Sequence, residues 1–270
     1  MALWPPVLTR VSGTFISINA SSSTRGKAVT AADMKWNLAI SLIVCLAASV
    51  CSAGLDDFFH IPDRVKCKEV LVIIGRGTSE PPGEGPQRIF GKELQRRLGE
   101  ERVDHIPLDW PASLFPTYGE SVRLGTEAVK RTVARYVDSC PHIKIVLMGF
   151  SQGAQVLSDT LCGMDEATFP KTKPIDPKLA ERIVAVVGMG DPTHNPGQPY
   201  NVGTATRKGW FPRRNDESCR KYDHVRVSYC DHGDIYCDHG VDPLVHSSYF
   251  KNYFEHCMQF MIKKIEGIDP

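Results

Sequence analysis

The chain has 270 residues, 42% hydrophobic and 23% charged, which is apolar material enough for one large α/β core. A formal net charge of +1 and the lack of any run of five like charges exclude the electrostatic footprint of nucleic-acid or anionic-membrane binding. The expected partner is a neutral substrate. Taken in chain order, Met34-Lys35-Trp36, an apolar stretch from Leu38 to Val50 and the small residues Cys51-Ser52-Ala53 read as a secretory signal. It is shorter than the about 20 apolar residues that span a bilayer, so no stable membrane insertion is expected. Residues 1–33 precede it, Ser-rich and basic; Met34 is read as the true start, with an organelle transit peptide as the alternative. Seven of the nine cysteines lie beyond Ala53, and six of them suffice for three disulfides, the usage of an oxidising, extracellular compartment. The expected domain is therefore 54–270, a secreted monomer.

Within it, Glu69-Val-Leu-Val-Ile-Ile-Gly75 is an apolar run ending in glycine, a buried parallel strand. Further strands are predicted at Val103–Leu108, Ile143–Phe150, Arg182–Gly188 and His224–Tyr229. Helices are predicted over 86–98, Tyr118–Val137, Gln152–Leu161 and Tyr249–Ile265, the second from apolar spacing at Val122, Val129, Val133 and Val137. Alternating strands and helices imply an α/β single domain: about five parallel strands in a three-layer sandwich, helices on both faces. Functional loops then lie at the carboxyl ends of the strands.

Gly149-Phe-Ser-Gln-Gly153 sits where the third strand turns into a helix. The motif alone is weak, but in that context small residues at 149 and 153 allow a sharp turn that exposes Ser151 above the sheet. A serine hydroxyl needs a base to take its proton and a carboxylate to orient that base. Asp234, midway between Cys230 and Cys237, and His246 follow in the chain order of strand-turn-helix hydrolases. A Cys230–Cys237 disulfide would close a tight loop around the carboxylate. Cys-Asp-His-Gly occurs twice, at 230–233 and 237–240; a disulfide is expected rather than a metal, with His232 and His239 exposed. Donors for an oxyanion are expected from the Gln152 backbone N–H and from Thr78 in Arg76-Gly-Thr-Ser-Glu80. Gly75-x-Gly77 lacks the third glycine of a dinucleotide fingerprint, Glu80 standing there.

These stretches, with Gly190-Asp-Pro192 and His246-Ser-Ser-Tyr249, resemble the cutinase and acetylxylan-esterase family of secreted serine esterases over roughly residues 65–265. The resemblance implies a compact doubly wound sheet without a lid domain, no cofactor, Ser151, Asp234 and His246 as triad, and Thr78 and Gln152 as oxyanion donors. It also implies the pairs Cys67–Cys140, Cys162–Cys219 and Cys230–Cys237, leaving Cys257 as a buried apolar side chain. The implied partner is an ester, either an acetylated polysaccharide or a polyester or lipid-like ester. Gly197–Thr204 and Tyr229-Cys230 resemble the acetylxylan-esterase branch, whereas Val241, Pro243, Leu244, Val245 and Leu114-Phe115-Pro116 would give an apolar rim suited to cutin or longer acyl chains. Activity is expected to rise with pH through an ordinary histidine pKa of about 6.5. The rivals are a non-catalytic secreted binder and a membrane-anchored esterase keeping residues 36–50.

Overall fold

Val70–Gly75 (β1) buries all six of its residues, as a strand covered on both faces must. In the computed structural model it lies inside a six-stranded sheet with Val103–Pro107 (β2), Lys144–Phe150 (β3), Ile183–Met189 (β4), Asn201–Val202 (β5) and Arg226–Tyr229 (β6). The order is β2-β1-β3-β4-β6-β5 and every pairing is parallel. The structure describes residues 65–114 and 117–268, within one unit, Asp57–Pro270. The expected signal segment, the residues upstream of it, and Phe115 and Pro116 lie outside the described residues. No described helix is long and apolar enough to cross a membrane.

Parallel strands need crossovers, and helices supply them. The helices are Arg88–Leu98 (α1), Tyr118–Ser139 (α2), Gln152–Cys162 (α3), Pro177–Ala180 (α4), Asp216–Cys219 (α5), Pro243–Ser247 (α6), Tyr249–Asn252 (α7) and Phe254–Glu266 (α8). Strand alternation sorts the core into two layers. Leu71, Ile73, Ile145 and Leu147 face Val129 and Val133 of α2 and Val156, Leu157 and Leu161 of α3. Val70, Val72, Val146 and Met148 point the other way, against Phe90 and Leu94 of α1 and Met258, Met261 and Ile265 of α8.

Two details depart from expectation. The sheet has a sixth strand, β5, only two residues long and lying on the β6 edge. The expected helix Tyr249–Ile265 is two helices, broken at Tyr253, which adopts φ −116° and ψ 13°. Tyr253 is held by tertiary contacts, its hydroxyl donating to Asp231 Oδ1 at 2.7 Å and its ring packing 4.8 Å from Tyr229.

Three disulfides have the expected partners: Cys67–Cys140, Cys162–Cys219 and Cys230–Cys237. The first ties the segments entering the adjacent strands β1 and β3. Cys257 is free and wholly buried, and that burial pushes its thiol pKa up.

Candidate active site

The turn from β3 into α3 places Ser151 at φ 53° and ψ −119°, a region a side-chain-bearing residue rarely adopts. The glycines around it are sterically required. A Cβ on Gly149 would stand 2.5 Å from the Gly153 carbonyl carbon, and one on Gly153 would run into the carbonyl oxygens of Gly75 and Arg76. The ends of β1 and β3 and the first turn of α3 thus meet backbone to backbone, with Ser151 at their junction, 8% exposed.

Asp234 lies in the loop closed by Cys230–Cys237, cysteines seven positions apart, and is 0% exposed. Both carboxylate oxygens are saturated. Oδ1 accepts from the backbone N–H of Tyr236 (2.7 Å) and Cys237 (3.0 Å). Oδ2 accepts from the Tyr249 hydroxyl (2.6 Å) and from His246 Nδ1 (2.8 Å). Burial alone would raise its pKa, but these donors, His246 first, outweigh it and hold the carboxyl below its ordinary value. An ionised acceptor makes Nδ1 the protonated nitrogen of neutral His246. Its Nε2 has no hydrogen-bond partner, Ser151 Oγ included.

His246 sits in α6 with its ring between Phe150 (centroids 4.8 Å apart) and Tyr236 (4.6 Å). Gly190, at φ 63°, explains part of the Gly-Asp-Pro motif: a Cβ there would lie 2.7 Å from the His246 ring. Behind it, Asp191 Oδ1 accepts from the N–H and hydroxyl of Thr193, whose oxygen accepts from the buried Arg213, itself paired with Asp159 at 2.5 Å.

The loop after β1 is built around a buried cation. Arg76, 3% exposed, donates to the carbonyls of Glu80, Leu108, Trp110 and Pro111. Glu80 accepts from the Gly77 N–H at 2.9 Å, and Ser79, at φ 61°, donates to the Ala112 carbonyl at 2.7 Å. Thr78 is thereby held at the edge of a cleft of about 400 Å³ that Ser151 and His246 also line. The Gln152 side chain is wholly buried and occupied with Ser121 and the Ser113 carbonyl. What it can offer the site is its backbone N–H, which as the first of α3 has no intrahelical acceptor.

The structure therefore brings Ser151, Asp234, His246 and Thr78 together, with Gln152 next in chain to Ser151. The expected apolar rim is a correction: of its described members only Leu114 lines the cleft, whereas Val241 (92% exposed) and Leu244 (75%) project into water. The apolar wall is instead Tyr118, Phe150, Pro192, Trp210, Phe211 and Tyr236. Those aromatics, and the Tyr249 hydroxyl on Asp234, were not assigned from sequence. The available signal was Gly209-Trp210-Phe211, adjacent aromatics in a polar stretch. His232 and His239 are exposed loop residues, as expected, and among the described residues no three His, Cys, Asp or Glu side chains converge as metal ligands do.

Comparison with known proteins places the chain. The family model described as Cutinase matches residues 66–265. Cutinase 11 of Verticillium dahliae is 30% identical over 236 residues, covering 84% of this chain and 77% of that protein. Acetylxylan esterase 2 of Talaromyces purpureogenus is 32% identical over 212 residues, covering 76% and 90%. Among solved structures, the catalytic core domain of acetyl xylan esterase from Trichoderma reesei matches with a TM-score of 0.69 and 29% identity, over 74% of this chain and 100% of that one.

Proposed function

The chain belongs to the cutinase family and is a carboxylic ester hydrolase, and we propose that it works by acyl transfer through Ser151, His246 and Asp234, on acetyl esters of a polysaccharide. The observation that carries the mechanism is the set of contacts on Asp234. Its Oδ2 accepts a hydrogen bond from the protonated Nδ1 of His246, so Nε2 is the nitrogen left to receive the Ser151 proton in the cleft both residues line. Ser151 Oγ attacks the ester carbonyl while Nε2 accepts its proton. Negative charge develops on the carbonyl oxygen and is met by the N–H groups of Gln152 and Thr78 and by the Thr78 hydroxyl. The tetrahedral species collapses, the protonated His246 gives its proton to the leaving alcohol, and an acyl-Ser151 ester remains. Water then attacks that ester with His246 again as base, releasing the acid. Asp234 stays ionised throughout and holds the tautomer.

The acetyl reading is supported by the similarity to proteins named acetylxylan esterases. A second reading, longer acyl chains, is favoured by Leu114, an exposed apolar side chain that lines the cleft. Three disulfides fit an oxidising compartment, and the proposal extends to export with residues 34–53 as leader, 54–270 as the mature domain, acting as a monomer.

The test is hydrolysis of p-nitrophenyl acetate, butyrate and longer esters. Acetate is expected to be fastest. Ser151→Ala is expected to lower kcat by at least about 10⁴-fold with the thermal transition retained. A variant that kept its activity would remove Ser151 as nucleophile; a preference for butyrate would move the substrate to longer acyl esters, and an inactive wild type would revive the non-catalytic binder.

A further inference from the structure

The two copies of Cys-Asp-His-Gly, which flank Asp234, also hold a second segment of the chain. Asp231, in the first copy, accepts at Oδ1 from both the N–H and the hydroxyl of Thr204, each at 3.1 Å. Asp238, in the second, is 0% exposed and accepts from the N–H groups of Thr206 (2.9 Å) and Arg207 (2.7 Å) at Oδ1 and of Gly233 (3.0 Å) at Oδ2. His239 Nδ1 reaches the Lys208 carbonyl at 2.8 Å. Ala205 donates to the Cys230 carbonyl and Trp210 to the Tyr236 carbonyl, at 3.1 and 2.9 Å. Residues 204–210 have no strand or helix of their own, yet nearly every one is gripped by the loop that holds Asp234.

The arm delivers Trp210 to the wall of the cleft, where it is left 49% exposed; Trp110, the other described tryptophan, is 3% exposed. Fixing the backbone of a large apolar side chain while leaving half of it in water is the pattern of a contact residue rather than a core one. Its described ring neighbours meet it at steep angles: Tyr236 at 5.1 Å and 67°, Phe211 at 6.4 Å and 89°. No described ring stacks flat on the indole.

We propose that Trp210 is a specificity-determining platform on which a sugar ring of the polysaccharide stacks, holding the ester-bearing unit over Ser151. The weakly positive C–H groups on one face of a pyranose complement the negative face of an indole, while the sugar's hydroxyls stay in water at the rim. An acyl chain would call for an enclosed apolar groove, and the arm beside Trp210 is Thr206, Arg207, Lys208 and Gly209. The inference rests on the acyl-transfer reading above and deepens it on the alcohol side of the ester.

The experiment compares wild type, Trp210→Ala and Trp210→Phe on acetylated xylo-oligosaccharides, p-nitrophenyl acetate and p-nitrophenyl butyrate, with melting temperatures measured alongside. In Trp210→Ala the loss of kcat/KM on the oligosaccharide is expected to exceed the loss on p-nitrophenyl acetate by about tenfold, carried by KM, with Trp210→Phe recovering most of it. Losses equal within twofold on the two acetyl substrates, or no loss on either, would overturn the platform. A loss that follows acyl length, butyrate falling more than acetate, would assign Trp210 to the acyl side instead. Wild type that cleaves p-nitrophenyl acetate but not the oligosaccharide overturns the platform and leaves acyl transfer standing; wild type inactive on every ester, or an active Ser151→Ala, removes the reading beneath it.

Discussion

The two ends of the sheet are held by different means. At the amino ends, the chain is secured by the Cys67–Cys140 cross-link and by ion pairs facing water: Glu69 with Arg102 (2.7 Å) and Lys144 (3.0 Å), and Arg102 with Glu266 (3.0 Å). Hydrogen bonds from Arg102 and Lys144 bring the Glu69 pKa down to about 2. Such exposed pairs contribute little each and weaken with salt. At the carboxyl ends the carboxylates of Asp234 and Asp238 are 0% exposed and accept hydrogen bonds at both oxygens, and four non-glycine residues, Ser79, Ala112, Ser151 and His239, are held at positive φ. The first end constrains the chain; the second orients particular atoms. Damage to one should appear as stability and to the other as rate.

Two of the three disulfides, one at each end of the sheet, break that comparison apart most sharply. Replacing Cys230 and Cys237 by serine opens only a loop between cysteines seven positions apart, worth about 2 kcal/mol of chain entropy. It also frees the carboxylate that orients His246, and misplacement by about 1 Å costs on the order of 100-fold. The expected outcome is a 10- to 100-fold fall in kcat, about that scale of misplacement, in a protein that still melts cooperatively; full activity would mean the N–H donors alone position Asp234. Replacing Cys67 and Cys140 by alanine opens a loop between cysteines 73 positions apart, worth about 4 kcal/mol. There, denaturant unfolding should register the whole loss, while kcat/KM of the folded fraction stays within about twofold; a large rate effect would show that the two ends are coupled.

The smallest effect is expected from Tyr249→Phe, which sharpens the account of the carboxyl end. Its hydroxyl and His246 Nδ1 share Asp234 Oδ2. Without the hydroxyl that oxygen carries more charge and holds the protonated imidazole more firmly, so a higher pH is needed to free the base. The acidic limb of the kcat/KM profile should move to higher pH, with the plateau rate reduced only a few-fold. A shift to lower pH, or none, would show that the hydroxyl only packs.

Much of this was readable in the chain itself. The central strands β1, β3 and β4 fall within a residue of where apolar runs place them, because a strand covered on both faces must be largely apolar, whereas β2 and β6 carry Asp104, His105, Arg226 and Ser228 among their apolar residues. Asn201–Val202 has no such run; pairing with Ser228 and Tyr229 makes it a strand. The break at Tyr253 was invisible for a related reason, since the apolar spacing of Tyr249–Ile265 continues through it and only contacts with Asp231 and Tyr229 interrupt the helix. The rim expected from Val241 and Leu244 failed because apolarity does not say which way a loop side chain points.

For the site, local rules covered local geometry. Glycines at 149 and 153 and the Cys-x-x-x-Asp-x-x-Cys spacing announce a sharp turn and a fixed carboxylate, since short-range sterics and loop closure are properties of neighbouring residues. That much the sequence determined by itself: the fold class, the disulfide-closed loop and the three residues proposed as triad. Tertiary structure alone decided that Gly190 makes room for the His246 ring, that Tyr249 shares a carboxylate oxygen with it, and that Trp210 stands at the cleft. Those are contacts between distant segments, and their energies depend on separations and angles that exist only once the sheet has brought the carboxyl ends of its strands together.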